Sequence, residues 1–394
     1  MKVVLPTADY PPIEGGISTV TLHVARELVE LGHDVTVVAP FFPDMEAFDA
    51  NEPYEVIRYK GYALGPARLL PMAVSTWHNL RKADLVLPIN IASGGLLAWL
   101  SKRLGGPPYV CFAYAYEFMK FHPRGLVASL LRHIYHRSLT TVAISAYTRD
   151  ELLRFGLAPG AITVIHPGAS IPDPPNADSL KEVRSRYALD DASPMILAVG
   201  RFVARKGFRT LVRALPRVLA RYPQAVALMA GRGPDISPVA KLAWRLNVRN
   251  HVILPGRVHQ PDLDVLYSLC DLFALPTGET PGGQVEGFGL VFTEAHARGK
   301  PVIAGRSGGA ADAVLDGETG FLVPPDDPDA LADAILRLLD DKTLAHQLAS
   351  NGKERVAHEL NWAVFTRCLV DEAVRRAPHL ACLAGPLDDE ESRP

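Results

Sequence analysis

Cysteine is scarce. Cys111, Cys270, Cys368 and Cys382 stand far apart in a chain of 394 residues, with no C-x-x-C spacing. That argues against a disulfide framework and a zinc site, and it fits a reducing cytoplasm. No apolar run approaches the ~18 residues a membrane span needs, and Met1-Lys2-Val3-Val4-Leu5-Pro6 is too short for a signal peptide. The expectation is a soluble protein, or one that rests on a membrane. Net charge is only −2, so nothing pulls the chain as a whole toward nucleic acid. Thirteen histidines show neither H-x3-H nor H-E-x-x-H spacing, and no metal is expected. The first strand-to-helix turn lacks G-x-G-x-x-G, and the second strand ends Val38-Ala39-Pro40 without an acidic residue. Both absences weigh against a dinucleotide-dependent oxidoreductase. With 48% apolar and 21% charged residues, the chain is globular rather than disordered.

What is present is an alternation of strand and helix signals. Lys2 to Thr7 reads as a buried strand; Ile17, Val20, Val24, Leu28 and Leu31 then recur at helical spacing, Gly32 stops the helix, and residues 34–39 form a second strand. Further strands are predicted at 56–59, 85–88, 109–113 and 141–145, with helices near 92–104, 125–138 and 146–155. At Ile171-Pro-Asp-Pro-Pro-Asn176 the composition suits neither helix nor sheet, which places a domain junction there. Alternation resumes with strands at 195–199, 225–230, 252–254, 272–275, 302–304 and 320–323, and a helix at 208–222. The expected fold class is α/β, two doubly wound parallel-sheet (Rossmann-like) domains facing across a cleft, with ligands at the carboxyl ends of the strands. The expected boundaries are 1–170, a linker at 171–193, a second domain at 194–361, a closing helix at 362–377 that packs back on the first domain, and a tail at 378–394 whose acidic end frays.

Three motifs carry candidate chemistry. Gly15-Gly16 opens the first helix, where free backbone N–H groups and the positive helix end can face an anion; an ordinary strand-to-helix turn reads the same way. Gly200-Arg201-Phe202 with Arg205-Lys206-Gly207 follows a strand and opens a helix, so that an Arg fork and a Lys point charge stand where a diphosphate could sit; the alternative is a solvated basic turn. Glu286-Gly287-Phe288-Gly289-Leu290 continues to Glu294, two carboxylates eight residues apart across a glycine loop. Glu286 can accept bonds from sugar hydroxyls and Glu294 from a ribose diol, although a cap acid and a solvated helical face would leave the same trace. Asp262-Leu-Asp264 has the D-x-D form of a metal site, but it falls after Pro261 at the start of a helix, where aspartate caps.

Together with Gly231-Arg-Gly-Pro234, Ser307-Gly-Gly and Asp316-Gly-Glu-Thr-Gly-Phe, these motifs resemble glycosyltransferase family 4, retaining enzymes of GT-B fold, over nearly the whole chain. The stretch Gly282 to Gly289, continuing into Gly305 to Ala310, is similar to the mannosyltransferases acting on phosphatidylinositol-type lipids. The resemblance implies transfer of a hexose, mannose or glucose, from a nucleotide diphosphate sugar (GDP- or UDP-linked) to a lipid-linked or saccharide acceptor in cell-envelope synthesis. No tightly bound cofactor and no metal are implied for the chemistry. Arg201, Lys206 and Glu286 would be catalytic, the first two on the diphosphate and Glu286 on the sugar. Phe288, Gly289 and Leu290 would line the donor site, Glu294 would take the ribose, and Gly15 and Gly16 would approach the diphosphate from the first domain. Where the family carries His-Gly-x-Glu, this chain reads Tyr114-Ala115-Tyr116-Glu117, so Tyr114 and Glu117 become the acceptor-side candidates. With an ordinary pKa near ~10, tyrosine donates a hydrogen bond but is a poor base. A catalytically silent sugar-nucleotide sensor or scaffold is the alternative reading.

Charge is unevenly distributed: residues 58–137 carry +9 and residues 1–57 carry −8. Within the basic stretch, Phe118 to Arg124 and the helix 126–137 set bulky apolar side chains beside cations, as on a helix that lies on an anionic bilayer or as on a core helix with a basic rim. An anionic membrane surface is therefore an expected partner, nucleic acid is not, and the expected location is cytoplasmic, peripheral on the inner face of the plasma membrane.

Overall fold

The structure, a computed structural model, describes residues 1–61, 69–121, 125–190 and 193–384. Arg68, His122 and Arg124 of the basic stretch and the acidic end 388–394 lie outside the described residues. The chain divides into two units: Met1–Pro167 together with the stretch from Trp362 onward, and Gly168–Asn361.

In the first unit the strands are β1 (Lys2–Pro6), β2 (Asp34–Pro40), β3 (Glu55–Tyr59), β4 (Leu85–Val86), β5 (Cys111–Ala113), β6 (Thr141–Ala143) and β7 (Ile162–Val164). They pair in parallel in the order β3-β2-β1-β4, and a bridge from Val86 to Tyr109 links this sheet to β5-β6-β7. Strand order reverses between β1 and β4, the point where an open α/β sheet leaves room for a ligand. Helix Gly16–Glu30 forms because Val20, Val24, Ala25 and Leu28 line one buried face. Burying such a side chain stabilises by about 1.5–3 kcal/mol. Helix Leu69–Leu80, which buries Met72, Thr76 and Leu80, and the short edge strand β7 were not anticipated.

In the second unit the strands are β8 (Met195–Val199), β9 (Val226–Ala230), β10 (Val252–Gly256), β11 (Leu272–Leu275), β12 (Val302–Gly305) and β13 (Gly320–Val323). They form one parallel sheet in the order β10-β9-β8-β11-β12-β13, the Rossmann arrangement, with the reversal between β8 and β11.

One boundary expectation needs correction. The stretch 171–193 is no bare linker, because Ala177–Tyr187 is a helix whose Asn176 cap accepts from the Ser179 N–H at 2.8 Å, and it packs on helix Asp262–Leu269 within the second unit. It escaped notice because only Val183 is buried, leaving no apolar periodicity to read. Beyond the closing helix the chain stays packed on the first unit. Leu380 is buried in a turn, residues 381–384 are helical, and the N-terminal ammonium donates to the Leu383 carbonyl at 2.9 Å.

Candidate functional site

Within the second unit, the loops after β8, β11 and β12 meet beside the strand reversal. Gly207, at φ +71°, lies so close to the Pro276 carbonyl that a Cβ there would collide with it, and the Gly278 N–H donates to the Arg205 carbonyl at 2.7 Å. These contacts bind the loop after β8 to the loop after β11. The third loop closes in at Gly308, at φ +57° against the Glu286 carbonyl, which also accepts from the Gly309 N–H at 2.8 Å.

The result is a buried ion pair. Lys206 Nζ stands 2.5 Å from Glu286 Oε2, with side-chain exposures of 10% and 12%. Burial alone would push the Glu286 carboxyl up, but the charges of Lys206 and Arg205 outweigh it and hold the group below its ordinary range. Arg201, by contrast, is exposed on the same loop, and among the described residues its guanidinium has no carboxylate partner.

Phe288 is buried, and Gly289 at φ +98° turns the chain into helix Leu290–Ala297 without a capping side chain, so Leu290 begins a helix whose first N–H groups are uncapped. Glu294 lies one turn on. Its Oε2 accepts from the Tyr267 hydroxyl at 2.9 Å, and burial raises its pKa against the opposing effects of Tyr267 and Lys206. Asp262 and Asp264 sit in the first turn of their helix, not at its cap, and pair with Arg186 and Arg298. Among the described residues no cluster of three His, Cys, Asp or Glu side chains is placed to hold a metal ion.

Within the first unit, Gly15 and Gly16 open their helix with no capping side chain, and among the described residues nothing lies within 4 Å of where a Gly15 Cβ would be. The preceding loop is clamped by the half-buried Arg58, which donates to the carbonyls of Pro11 at 2.8 Å and Pro40 at 2.9 Å while pairing with Asp49. At the carboxyl edge of β1 and β4, Asn90 accepts from Ala8 N–H at 2.6 Å and donates to Asp9 Oδ2 at 2.8 Å. Tyr114 follows β5. Its backbone N–H donates to Glu117 Oε1 at 2.6 Å, and among the described residues its buried hydroxyl has no hydrogen-bond partner. Burial, then the charges of Glu117 and Asp9, raise its pKa well above the ordinary value. Burial likewise lifts Glu117 to about 7, against the pull of the Tyr114 N–H. Ala115 between them stands at φ +77°, a backbone state that costs a non-glycine residue about 1–2 kcal/mol.

The sequence matches two family models, Glycosyltransferase Family 4 over residues 14–171 and Glycosyl transferases group 1 over residues 180–355. It is 32% identical, across 91% of this chain and 95% of the relative, to a GDP-mannose-dependent alpha-(1-6)-phosphatidylinositol monomannoside mannosyltransferase of Mycolicibacterium smegmatis. The chain is a family 4 glycosyltransferase. A Corynebacterium glutamicum protein, a GDP-mannose-dependent monoacylated alpha-(1-6)-phosphatidylinositol monomannoside mannosyltransferase, is 30% identical over 92% of this chain and 95% of its own. Among solved structures, Anabaena HepE with UDP and glucose superposes with a TM-score of 0.77 at 19% identity, covering 95% of this chain and all of that one. Sucrose-phosphate synthase from Thermosynechococcus elongatus gives 0.76 at 24% identity, covering 97% of this chain and 100% of that one. The two Rossmann-like, all-parallel units are those of the GT-B fold.

The structure of this glycosyltransferase thus brings together Lys206, Glu286, Phe288, Gly289, Leu290 and Glu294 in the second unit, with Arg201 on the same loop as Lys206. Three further features went unread in the sequence. Asp9 and Asn90 join Tyr114 and Glu117 at the edge of the first sheet. Tyr267 reaches Glu294. Four of the six strands in the second unit run into Gly-Arg, at 200–201, 231–232, 256–257 and 305–306, which sets arginines along the carboxyl edge of that sheet. The dipeptide is legible in the sequence, but it gains meaning only once the strand ends are known.

Proposed function

We propose that this glycosyltransferase moves a mannosyl residue from GDP-mannose to a lipid-linked acceptor of the phosphatidylinositol mannoside type, with retention of anomeric configuration. Supporting the donor and acceptor, the Mycolicibacterium and Corynebacterium relatives are named as GDP-mannose-dependent phosphatidylinositol monomannoside mannosyltransferases, and their similarity runs through nearly the full length of both chains. The observation that carries the reading is the buried Lys206–Glu286 pair beside the strand reversal. Lys206 and Arg201 hold the donor diphosphate and offset the charge that grows on it as the glycosidic bond breaks. Glu286 contacts sugar hydroxyls, Glu294 the ribose diol, and the uncapped N–H groups at Gly289 and Leu290 the sugar or phosphate. Gly15 and Gly16 approach the diphosphate, and Tyr114 and Glu117 serve the acceptor. No protein nucleophile is needed if the leaving diphosphate takes the acceptor's proton on the same face, so that catalysis reduces to positioning and charge stabilisation. The test is a thermal-shift panel of nucleotides followed by proton NMR of the product. GDP at ~100 times its dissociation constant should add ~2.7 kcal/mol of stability, and the product should keep the donor's anomeric configuration. An inverted product, or no response to any nucleoside diphosphate, would overturn the reading.

The enzyme works at an anionic bilayer, peripherally and on the cytoplasmic face. Supporting this, the neighbouring helices Leu69–Leu80, Leu96–Arg103 and Leu126–Arg137 contain no acidic residue. They also leave Leu70, Val74, Leu100, Leu126, Val127 and Leu130 exposed. Helix 126–137 itself buries Ala128, Leu131, Ile134 and Tyr135 in the core, so only its outer face is free for lipid. No helix among the described residues is long and apolar enough to cross a membrane. Binding to anionic vesicles should weaken with salt, given a Debye length of ~8 Å at physiological ionic strength. No cosedimentation at low salt would sink this part alone.

A further inference from the structure

Tyr267 lies on helix Asp262–Leu269, outside every motif of the donor site, yet it is fully buried and its hydroxyl donates to Glu294 Oε2 at 2.9 Å. The phenol ring has two packing partners. The Arg298 guanidinium stands over it, 4.9 Å from the ring centroid, and Phe273 stacks against it at 5.7 Å with an interplanar angle of 27°. Arg298 is itself fixed twice. It pairs with Asp264 on the tyrosine's own helix, and its Nη1 donates to the Glu294 carbonyl at 2.9 Å. Tyr267, Arg298 and Asp264 therefore form a closed brace between helix Asp262–Leu269 and helix Leu290–Ala297, with the Glu294 carboxylate at its tip. Among the described residues, no other side chain donates to that carboxylate.

A carboxylate meant to receive a cis-diol must present its oxygens at a fixed angle, and a glutamate side chain left to rotate loses much of its binding strength to ordering. One hydrogen bond from a rigid aromatic donor removes that freedom, occupies one lone pair of Oε2, and leaves Oε1 and the remaining lone pair of Oε2 as acceptors. The same bond serves a merely structural purpose as well, since a buried hydroxyl and a buried carboxylate each need a partner. The two roles differ in what they predict for ligands.

We propose that Tyr267, braced by Arg298, is a positioning residue for nucleotide recognition: it fixes Glu294 so that the donor ribose is read through its diol. This rests on the assignment of Glu294 to the ribose, and the test separates the two. Calorimetry on the full-length protein would compare GDP with 2′,3′-dideoxy-GDP, and UDP with its dideoxy form in parallel, for the wild type, Glu294→Gln and Tyr267→Phe. Glu294→Gln should abolish the preference for the diol. Tyr267→Phe should weaken binding of the natural nucleotide about fivefold, the size of one lost hydrogen bond, while leaving the dideoxy nucleotide within about twofold. In turnover the loss should fall on KM for the nucleotide sugar more than on kcat. Arg298→Lys, which keeps the cation and removes the planar stack, should shift selectivity in the same direction by a smaller factor, and melting temperatures would establish that each variant is folded. If Glu294→Gln loses diol selectivity while Tyr267→Phe keeps it, or if Tyr267→Phe weakens both nucleotides equally, the positioning role is overturned. If Glu294→Gln keeps full selectivity, the ribose assignment falls and the role of Tyr267 with it.

Discussion

Replacing Lys206 by methionine separates what the buried ion pair does for stability from what it does for turnover. The ammonium lies 2.5 Å from Glu286 Oε2, and both side chains are about nine-tenths buried, so solvent screening is slight. Removing one partner of such a pair strands the other charge and costs about 3–5 kcal/mol. The pH dependence gives a sharper test. In the wild type the folded pKa of Glu286 lies below its ordinary value of 4.5. The pair's contribution is therefore present above that value and is lost as pH falls through the lower folded one. In Lys206→Met, burial is opposed only by Arg205, so the carboxyl's pKa rises and the cost of keeping it ionised grows with pH. The stability gap between the two proteins should be wider at alkaline pH and shrink at acidic pH, as the variant's Glu286 takes up its proton. Guanidinium denaturation at an alkaline and an acidic pH measures the gap, and turnover should fall by ~10²-fold or more at either. The double variant Lys206→Met/Glu286→Gln should recover stability without recovering turnover. A gap under about 1 kcal/mol, or one that does not change with pH, would refute the energetic argument. Near-normal turnover would remove Lys206 from the mechanism.

Other perturbations test separate parts of the molecule. Glu294→Ala should weaken free nucleotide and nucleotide sugar alike, whereas Glu286→Ala should weaken only the sugar-bearing ligand; calorimetry showing equal losses for both ligands in both variants would reverse that division. Ala188 is exposed and ends helix Ala177–Tyr187 at φ +51°, so Ala188→Gly should relieve left-handed strain and raise stability by about 0.5–1 kcal/mol, read as a higher denaturation midpoint. Glu117, lifted to about 7 by burial, contributes stability fully below its ordinary value of 4.5, and that contribution is lost as pH rises through 7. Glu117→Gln should flatten this dependence, and an unchanged slope would show that the carboxyl does not titrate there.

Two kinds of information separate in this chain. Buried parallel strands announce themselves as short apolar runs, and all six strands of the second unit lie where the sequence alone puts them. The glycine loops are equally legible, because a left-handed turn such as Gly207 or a tight approach such as Gly308 leaves few other residues to choose. Helix Ala177–Tyr187 was not legible, since a helix with one buried residue has no period to detect. The family, the fold class and the residue types of the candidate donor site were thus determined by the sequence, through local pattern and motif. Which carboxylate meets which cation was decided by the tertiary structure. Lys206 and Glu286 are eighty positions apart and become an ion pair only because β8 and β11 are neighbours in the sheet and Gly207 lets their loops touch. Tyr267 finds Glu294 by the same means, across two helices whose contact no local spacing encodes. Ionisation followed from that packing, because burial and neighbouring charge set a pKa and both are properties of the folded chain.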